Sequence, residues 1–320
     1  MKLGYMMMCE QAPPKQLLRD LVRAEALGFD FSTTSDHYFP WLEEQGHSPY
    51  AWAVLGAAAQ ATERIPLMTF VTAPTMRYHP AVVAQKAATV AILSGERFTL
   101  GLGAGENLNE HIIGEGWPSA DVRQTMFEEA VEIIDSLFEG KYVTYRGEYL
   151  NTYRAKLYDR PENRVPMAIA GAGKRSLELA AEYGDALVAV QPDPGLAARF
   201  DEKAGAGKPK YGQVPVCYGP DENEAREYAA RMWGWALPGW AVLSELPGPT
   251  NFAAYTRLVG PEDIADQVPC GPDPEPYVEA VRRYRDAGFT HAAIVQVGGE
   301  RQDAFFDFAE KELLPALREL

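Results

Sequence analysis

Short apolar runs alternate along this chain with longer stretches whose apolar positions recur at helical spacing. The first pattern predicts buried strands, the second amphipathic helices. Leu3 to Met8 reads as strand one, and Pro14 to Leu27 as the helix after it, stopped at Gly28. Strand two runs from Phe29 to Ser35 and is followed by an Ala-rich helix from Tyr50 to Thr62. Strand three, Pro66 to Thr72, precedes a helix from Pro80 to Leu93; strand four, Arg97 to Gly103, precedes one from Asp121 to Phe138. Tyr142 to Leu150 predicts a hairpin turning at Tyr145-Arg146-Gly147. Strands five to eight are Val165 to Ala170, Ala186 to Val190, Val214 to Tyr218 and His291 to Val297. Helices are expected from Lys174, after Asp221 and at the end of the chain to Leu320.

This alternation predicts an α/β fold with a parallel sheet, and the strand count is that of a (β/α)8 TIM barrel. The stretch from Trp233 to Pro269 breaks the rhythm with Trp, Pro and Gly. It is expected to be an insertion over the barrel mouth, at the C-terminal face of the strands. No linker composition divides residues 1–320, so one domain is expected.

Composition narrows the classes. Hydrophobic residues make up 47% of the 320 positions, enough for a full core, and the formal charge is −15 with acids spread along the chain. A surface of that sign argues against a nucleic-acid partner. It leaves an anionic ligand open, since backbone N–H groups hold phosphate without a basic patch. Cys9, Cys217 and Cys270 are odd in number and widely spaced. They imply neither a disulfide framework nor a metal site, and suit a reducing cytoplasm. The chain enters a strand at once, without a signal-peptide pattern, and has no apolar run long enough to span a bilayer. A cytoplasmic protein with no membrane partner is expected.

In a barrel of this kind the site lies at the strand C-termini, so the residues after each strand carry the candidate chemistry. Strand two delivers Ser35-Asp36-His37 and then Tyr38-Phe39-Pro40-Trp41. Imidazole titrates nearest neutrality, and an adjacent carboxylate orients it or adjusts its basicity. Strand three delivers Val71-Thr72-Ala73-Pro74-Thr75. Strand four ends in Gly101-Leu102-Gly103-Ala104-Gly105-Glu106-Asn107-Leu108-Asn109. Small or absent side chains there let a flat ligand approach the backbone, and Glu106 offers a second acid. Asp36 or His37 with Glu106 gives two titrating centres on neighbouring loops, the form of an acid–base site. Structural readings stand beside these: Asp36 as a loop cap, His37 as a surface residue, Glu106 as a helix-start acid.

Gly171-Ala172-Gly173-Lys174 opens a helix after strand five and suits a phosphate, though it matches neither a Walker A loop nor GxGxxG. Such a turn can equally be structural. His47 and His79 read as loop and helix-start residues, and His111 and His291 have no partner legible in sequence. No metal-ligand spacing occurs among the His and Cys residues, so no metal is predicted. Trp233, Trp235 and Trp240 line a lid or pack an insertion. The absence of a Gly-x-Ser-x-Gly elbow argues against an ordinary serine hydrolase.

Together these stretches resemble the bacterial luciferase-like superfamily. Within it they are similar to the coenzyme F420-dependent branch, which includes F420-dependent glucose-6-phosphate dehydrogenase and F420-dependent secondary alcohol dehydrogenase. The likeness extends over most of the chain. It is carried by Ser35-Asp36-His37 with Pro40-Trp41, by Gly46-His47-Ser48-Pro49, and by Pro74-Thr75-Met76-Arg77-Tyr78-His79-Pro80 running on to Gln85. Gly103-Ala104-Gly105-Glu106-Asn107-Leu108-Asn109-Glu110, Trp117-Pro118 and Val122-Arg123-Gln124 also fit.

The resemblance implies a homodimeric barrel that binds F420 at the strand C-termini, with a non-proline cis peptide at Phe70-Val71 behind the deazaflavin. It implies that His37, Trp41 and Glu106 are the catalytic group, and that Asp36 contacts the deazaflavin and supports His37. Asn109 would touch the cofactor, with Phe70, Val71, Ala73 and Gly105 also binding it, and Gly171, Ala172, Gly173 and Lys174 would hold its phosphate. The implied chemistry is hydride transfer at the deazaflavin C5. His37 would take the proton of a substrate hydroxyl, Trp41 would donate its N–H to the developing oxyanion, and Glu106 would supply a proton to the reduced deazaflavin. Reduction of a carbonyl or an activated alkene reverses these steps.

One departure shapes the expected substrate. Sugar-phosphate enzymes of the branch hold the phosphate with Lys and Arg from the second half of the barrel. Here the loop after strand six reads Gln191-Pro192-Asp193-Pro194-Gly195, and the insertion offers Glu245 to Phe252 with only Arg257 further on. A dianionic phosphate needs cations or N–H groups. A small uncharged alcohol, ketone or enone is therefore expected rather than a sugar phosphate. The competing readings are a sugar-6-phosphate dehydrogenase of the same branch, a monooxygenase using FMN, a cofactor-binding protein without turnover, and a glycosidase built on Asp36 and Glu106.

Overall fold

Strands packed on both faces need apolar residues throughout rather than alternation, and the short apolar runs meet that need. In a computed structural model describing residues 1–320, ten strands form. They are β1 (Lys2–Met7), β2 (Phe31–Thr34), β3 (Leu67–Thr69), β4 (Phe98–Leu102), β5 (Val143–Arg146), β6 (Asn151–Ala155), β7 (Met167–Ala170), β8 (Ala186–Val188), β9 (Lys210–Val216) and β10 (His291–Gln296). β5 and β6 pair as an antiparallel hairpin, and the other eight close a barrel in the order β1-β2-β3-β4-β7-β8-β9-β10. Closure is direct: Lys2 of β1 lies opposite His291 of β10, and Gly4 opposite Phe31 of β2, both parallel. The expected (β/α)8 barrel is the fold observed.

Helices cover the barrel at Pro14–Leu27, Ala51–Ala61, Pro80–Leu93, Ala120–Phe138, Lys174–Tyr183, Pro194–Ala204, Glu222–Trp233 and Glu275–Asp286. Three of these begin with Pro, whose missing N–H is no loss in a first turn. His79 caps its helix by accepting the Ala81 N–H at 3.2 Å, as its helix-start reading expects. No helix is long and apolar enough to cross a membrane.

The helices Pro194–Ala204 and Glu275–Asp286 lie outside the sequence reading, and one strand and the hairpin differ from it. β9 begins at Lys210, not Val214, because its burial alternates and polar residues interrupt the apolar run. Lys210 is buried there at the cost of an ion pair, Nζ to Asp201 Oδ1 at 2.6 Å. The hairpin turns at residues 147–150, with the Gly147 N–H donating to the Leu150 carbonyl, rather than at 145–147. Buried Glu129 decides this by accepting N–H groups from Glu148, Tyr149 and Leu150. A Cβ at Gly147 would come within 2.4 Å of that carboxylate, so the close approach needs glycine.

Between residues 233 and 269 lie three short helices, Trp240–Leu243, Pro249–Thr256 and Pro261–Ala265. Trp233, Trp235, Leu243 and Phe252 from this segment bury against Met6, Trp41, Phe70, Leu108 and Val295, which belong to the barrel strands and the loops above them. The segment therefore covers the C-terminal face.

Candidate active site at the barrel mouth

β1 and β2 are neighbours, so the turns at their C-terminal ends meet. The first carries Glu10, the second His37. The Glu10 Oε1 lies 2.9 Å from His37 Nδ1, and the Glu106 Oε1, from the turn after β4, lies 2.9 Å from His37 Nε2. The imidazole is thus held between two carboxylates. Burial alone would depress its pKa; the charges of Glu10 and Glu106, with hydrogen bonds to both, outweigh burial and lift it well above the ordinary value. Burial pulls the Glu10 carboxyl upward, but the His37 charge and the Ser35 hydroxyl, which donates to Oε2 at 2.7 Å, bring it below its usual range.

Trp41 packs beside it, ring centroids 4.8 Å apart, and its other neighbours are Trp235, stacked at 4.0 Å and 9°, and the edge of Phe252 at 5.0 Å. Asn109 fixes the spacing of the two loops. Its Oδ1 accepts the N–H groups of Tyr38 and Phe39 at 2.7 and 3.1 Å, and its Nδ2 donates to Glu106 Oε1 at 2.6 Å. Gly105, at φ +85°, turns the chain into Glu106, and a Cβ there would meet Ala73 at 3.0 Å. The lid bonds to the same turn: the Asn107 N–H donates to the Ser244 carbonyl at 3.0 Å, its Nδ2 to the Glu245 carbonyl at 3.0 Å, and Arg123 pairs with the Glu245 carboxylate at 2.6 Å.

Asp36 is turned the other way. Its Oδ2 accepts from Trp52 Nε1 at 3.1 Å and Thr72 Oγ1 at 2.7 Å; its Oδ1 accepts from Arg77 Nη2 and Tyr78 OH, both at 3.2 Å. Its side chain is 0% exposed. Arg77 continues to Glu110, whose Oε2 accepts the Arg77 N–H at 2.6 Å; burial pushes that carboxyl up to about 7 against the pull of Arg77.

The model of the family described as luciferase-like monooxygenase matches residues 1–291. The chain belongs to the luciferase-like family. It is similar to the F420-dependent glucose-6-phosphate dehydrogenase of Beutenbergia cavernae, 37% identical across 99% of this chain and 98% of the relative. The enzyme of that name from Microbacterium testaceum is 36% identical over 99% and 98%. Among solved structures, an F420-dependent secondary alcohol dehydrogenase in complex with an F420-acetone adduct superposes with a TM-score of 0.89 at 32% identity, covering 99% of each chain. The coenzyme F420-dependent tetrahydromethanopterin reductase of Methanopyrus kandleri, at 20% identity and a TM-score of 0.76 over 99% of each chain, shares the fold.

In this luciferase-like chain the residues singled out from sequence fall into three groups. His37, Trp41, Glu106 and Asn109 converge on the mouth. Phe70, Val71 and Ala73 follow β3 beside them, with the Phe70-Val71 peptide cis. Gly171 to Lys174 form a separate turn after β7. There the Gly171 N–H goes to the Val188 carbonyl, and those of Ala172 and Gly173 to Ser176 Oγ. The open N–H groups therefore lie a step later than expected, at Lys174, Arg175 and Ser176 in the first helical turn.

The support of His37 by Asp36 is a correction. Adjacent residues leaving a strand point to opposite sides, so the carboxylate beside His37 in sequence faces the helices and is satisfied there. Glu10 takes the supporting place. Reading the residues after strand one as those after the others were read finds it, in Cys9-Glu10-Gln11.

Proposed function

We propose that this protein is a coenzyme F420-dependent oxidoreductase acting on a small uncharged alcohol or its carbonyl. The observation that carries it is His37, clamped between the carboxylates of Glu10 and Glu106 beside Trp41 at the barrel mouth. The relatives named for F420 support the cofactor.

The residues fit such a group. The open N–H groups of Lys174, Arg175 and Ser176, at the positive end of a helix dipole, suit its phosphate. Phe70, Val71, Ala73 and Gly105 would wall the ring, and Asn109 would border it. Asp36 would touch it only through backbone, its carboxylate being fully engaged. When bound, the deazaflavin supplies the hydride donor or acceptor.

The protein's part is proton handling and polarisation. Protonated His37 is the acid for a carbonyl oxygen; with the proton gone it is the base for a hydroxyl. The Trp41 indole N–H would donate to the same oxygen. Glu106 keeps Oε1 on Asn109 and His37, leaving Oε2 to hold a proton at the mouth. Trp41, Trp235 and Phe252 exclude water.

For the substrate, the cations around the mouth are committed: Arg77 to Asp36 and Glu110, Arg123 to Glu245. That supports an uncharged substrate. The names of the 37% and 36% identical relatives favour glucose 6-phosphate as the rival reading. Titrating the protein with F420 and with FMN, following Trp fluorescence, tests the cofactor; saturation by F420 alone is expected. Deazaflavin absorbance then reads turnover of secondary alcohols, ketones and glucose 6-phosphate. Turnover confined to glucose 6-phosphate would overturn the substrate class. The assembly proposed is a homodimer, which sedimentation reads directly.

A further inference from the structure

Two of the three cysteines, remote in sequence, are placed opposite each other by the fold. Cys217 follows β9 and Cys270 ends the lid segment, and the two are direct partners in an isolated parallel bridge. The bridge is closed on both sides: the Cys217 N–H donates to the Pro269 carbonyl at 2.8 Å and the Gly271 N–H to the Cys217 carbonyl at 3.1 Å. Directly paired residues on adjacent strands lie at the Cα separation a disulfide requires, with side chains on the same face. Both thiols are free and buried, Cys270 at 7% exposure and Cys217 at 0%.

The surroundings make the two unequal. The Cys270 thiol donates to the Val268 carbonyl at 3.2 Å, and the charges of Arg226 and Arg301 favour its thiolate. The neighbouring Cys270 and burial push the Cys217 thiol up. Cys270, the less buried of the two at 7% exposure against 0%, is the thiol a peroxide meets first, which makes Cys217 the resolving thiol.

We propose that Cys217 and Cys270 form a peroxide-oxidisable pair whose disulfide fastens the base of the lid. The Cys270 thiolate attacks a hydroperoxide oxygen, the O–O bond breaks, and hydroxide or alkoxide leaves with the electron pair, giving a sulfenic acid. The Cys217 sulfur then attacks that sulfur, an S–S bond forms, the S–O bond breaks, and water leaves with the Cys217 proton. Two thiols are oxidised and one hydroperoxide is reduced. The bond closes residues 218–269 into a loop that carries Trp235, Glu245 and Phe252, the groups that cover Trp41 and Glu106.

The test uses the full chain treated with one equivalent of hydrogen peroxide, alkylated with iodoacetamide and mapped by mass spectrometry. A single linked peptide pair joining Cys217 to Cys270, about 2 Da lighter than the two thiols, with Cys9 alkylated, is expected, and dithiothreitol reverses it. The oxidised protein is expected to unfold at a higher temperature than the reduced one. In C217S, dimedone is expected to label Cys270 after peroxide; in C270S, no sulfenic acid forms at Cys217. Full alkylation of all three thiols after peroxide, or Cys270 carried to sulfinic acid with Cys217 untouched, would overturn the proposal. These readouts need neither cofactor nor substrate, so they stand apart from the function proposed above.

Discussion

Two buried carboxylate clusters flank the tip of β2, one residue apart in sequence. Around Asp36 every acceptor is met: indole, hydroxyl, guanidinium and phenol all donate to it. Around His37 the contacts are as short, but Glu106 makes its own through Oε1 alone, to His37 and to Asn109. A carboxylate whose acceptors are all met holds its loops in place; one with an oxygen left over at an opening is set to meet a ligand. The first cluster anchors the loops; the second is the one proposed to meet substrate.

The strongest way to break that contrast is His37→Gln. Turnover should fall about 10²–10⁴-fold, the range for loss of a general acid–base group, in rapid-quench or steady-state assays. A protein that keeps wild-type turnover would move the chemistry elsewhere. Asp36→Ala should act oppositely. It strands Arg77 beside Glu110 in a buried site and should lower stability by about 3–5 kcal/mol in urea unfolding, with turnover per folded molecule falling far less than in His37→Gln. Equal losses of turnover in the two variants would erase the distinction.

Smaller effects sharpen it. Trp235→Ala removes a stack worth about 0.5–1.5 kcal/mol; KM for an alcohol should rise about tenfold at most with kcat little changed. Glu10→Gln removes one charge that raises His37. Alcohol oxidation needs the neutral ring, so its rate rises with pH through the lifted pKa, and in the variant that limb should move roughly one pH unit toward neutrality. Carbonyl reduction should show the mirror limb. The sign for stability is opposite at the two partners. The raised pKa of His37 contributes stability that is complete below about 6.5 and lost as pH rises through its folded value. The lowered pKa of Glu10 contributes stability present above about 4.3 and lost as pH falls through its folded value. Unfolding midpoints across pH should peak between them in the parent and flatten in Glu10→Gln.

Much of the barrel was legible because parallel strands are uniformly apolar and their helices amphipathic. β9 was cut short because Lys210 stands at one of its buried positions, which reads as loop until Asp201 is known to neutralise the lysine. Half of the candidate site was legible: His37 and Glu106 as titrating residues after their strands, and Trp41 through the family resemblance. Glu10 was not, because it follows an ordinary apolar strand and gains its meaning only when β1 and β2 pair and bring it to a residue 27 positions away. Arg77 and Glu110 were hidden for the same reason: their partners lie on other loops, and single residues do not disclose whom they will meet.

Every contact that sets the distance from imidazole to carboxylate is supplied between residues 10 and 109, with the Asn109 amide as the gauge. The aromatic cover comes from a later stretch of chain that touches this gauge only at its rim. A graft of another cover onto the same first half would then change which molecules are admitted while the proton machinery stays in register, so that new selectivity needs no reinvention of the reaction.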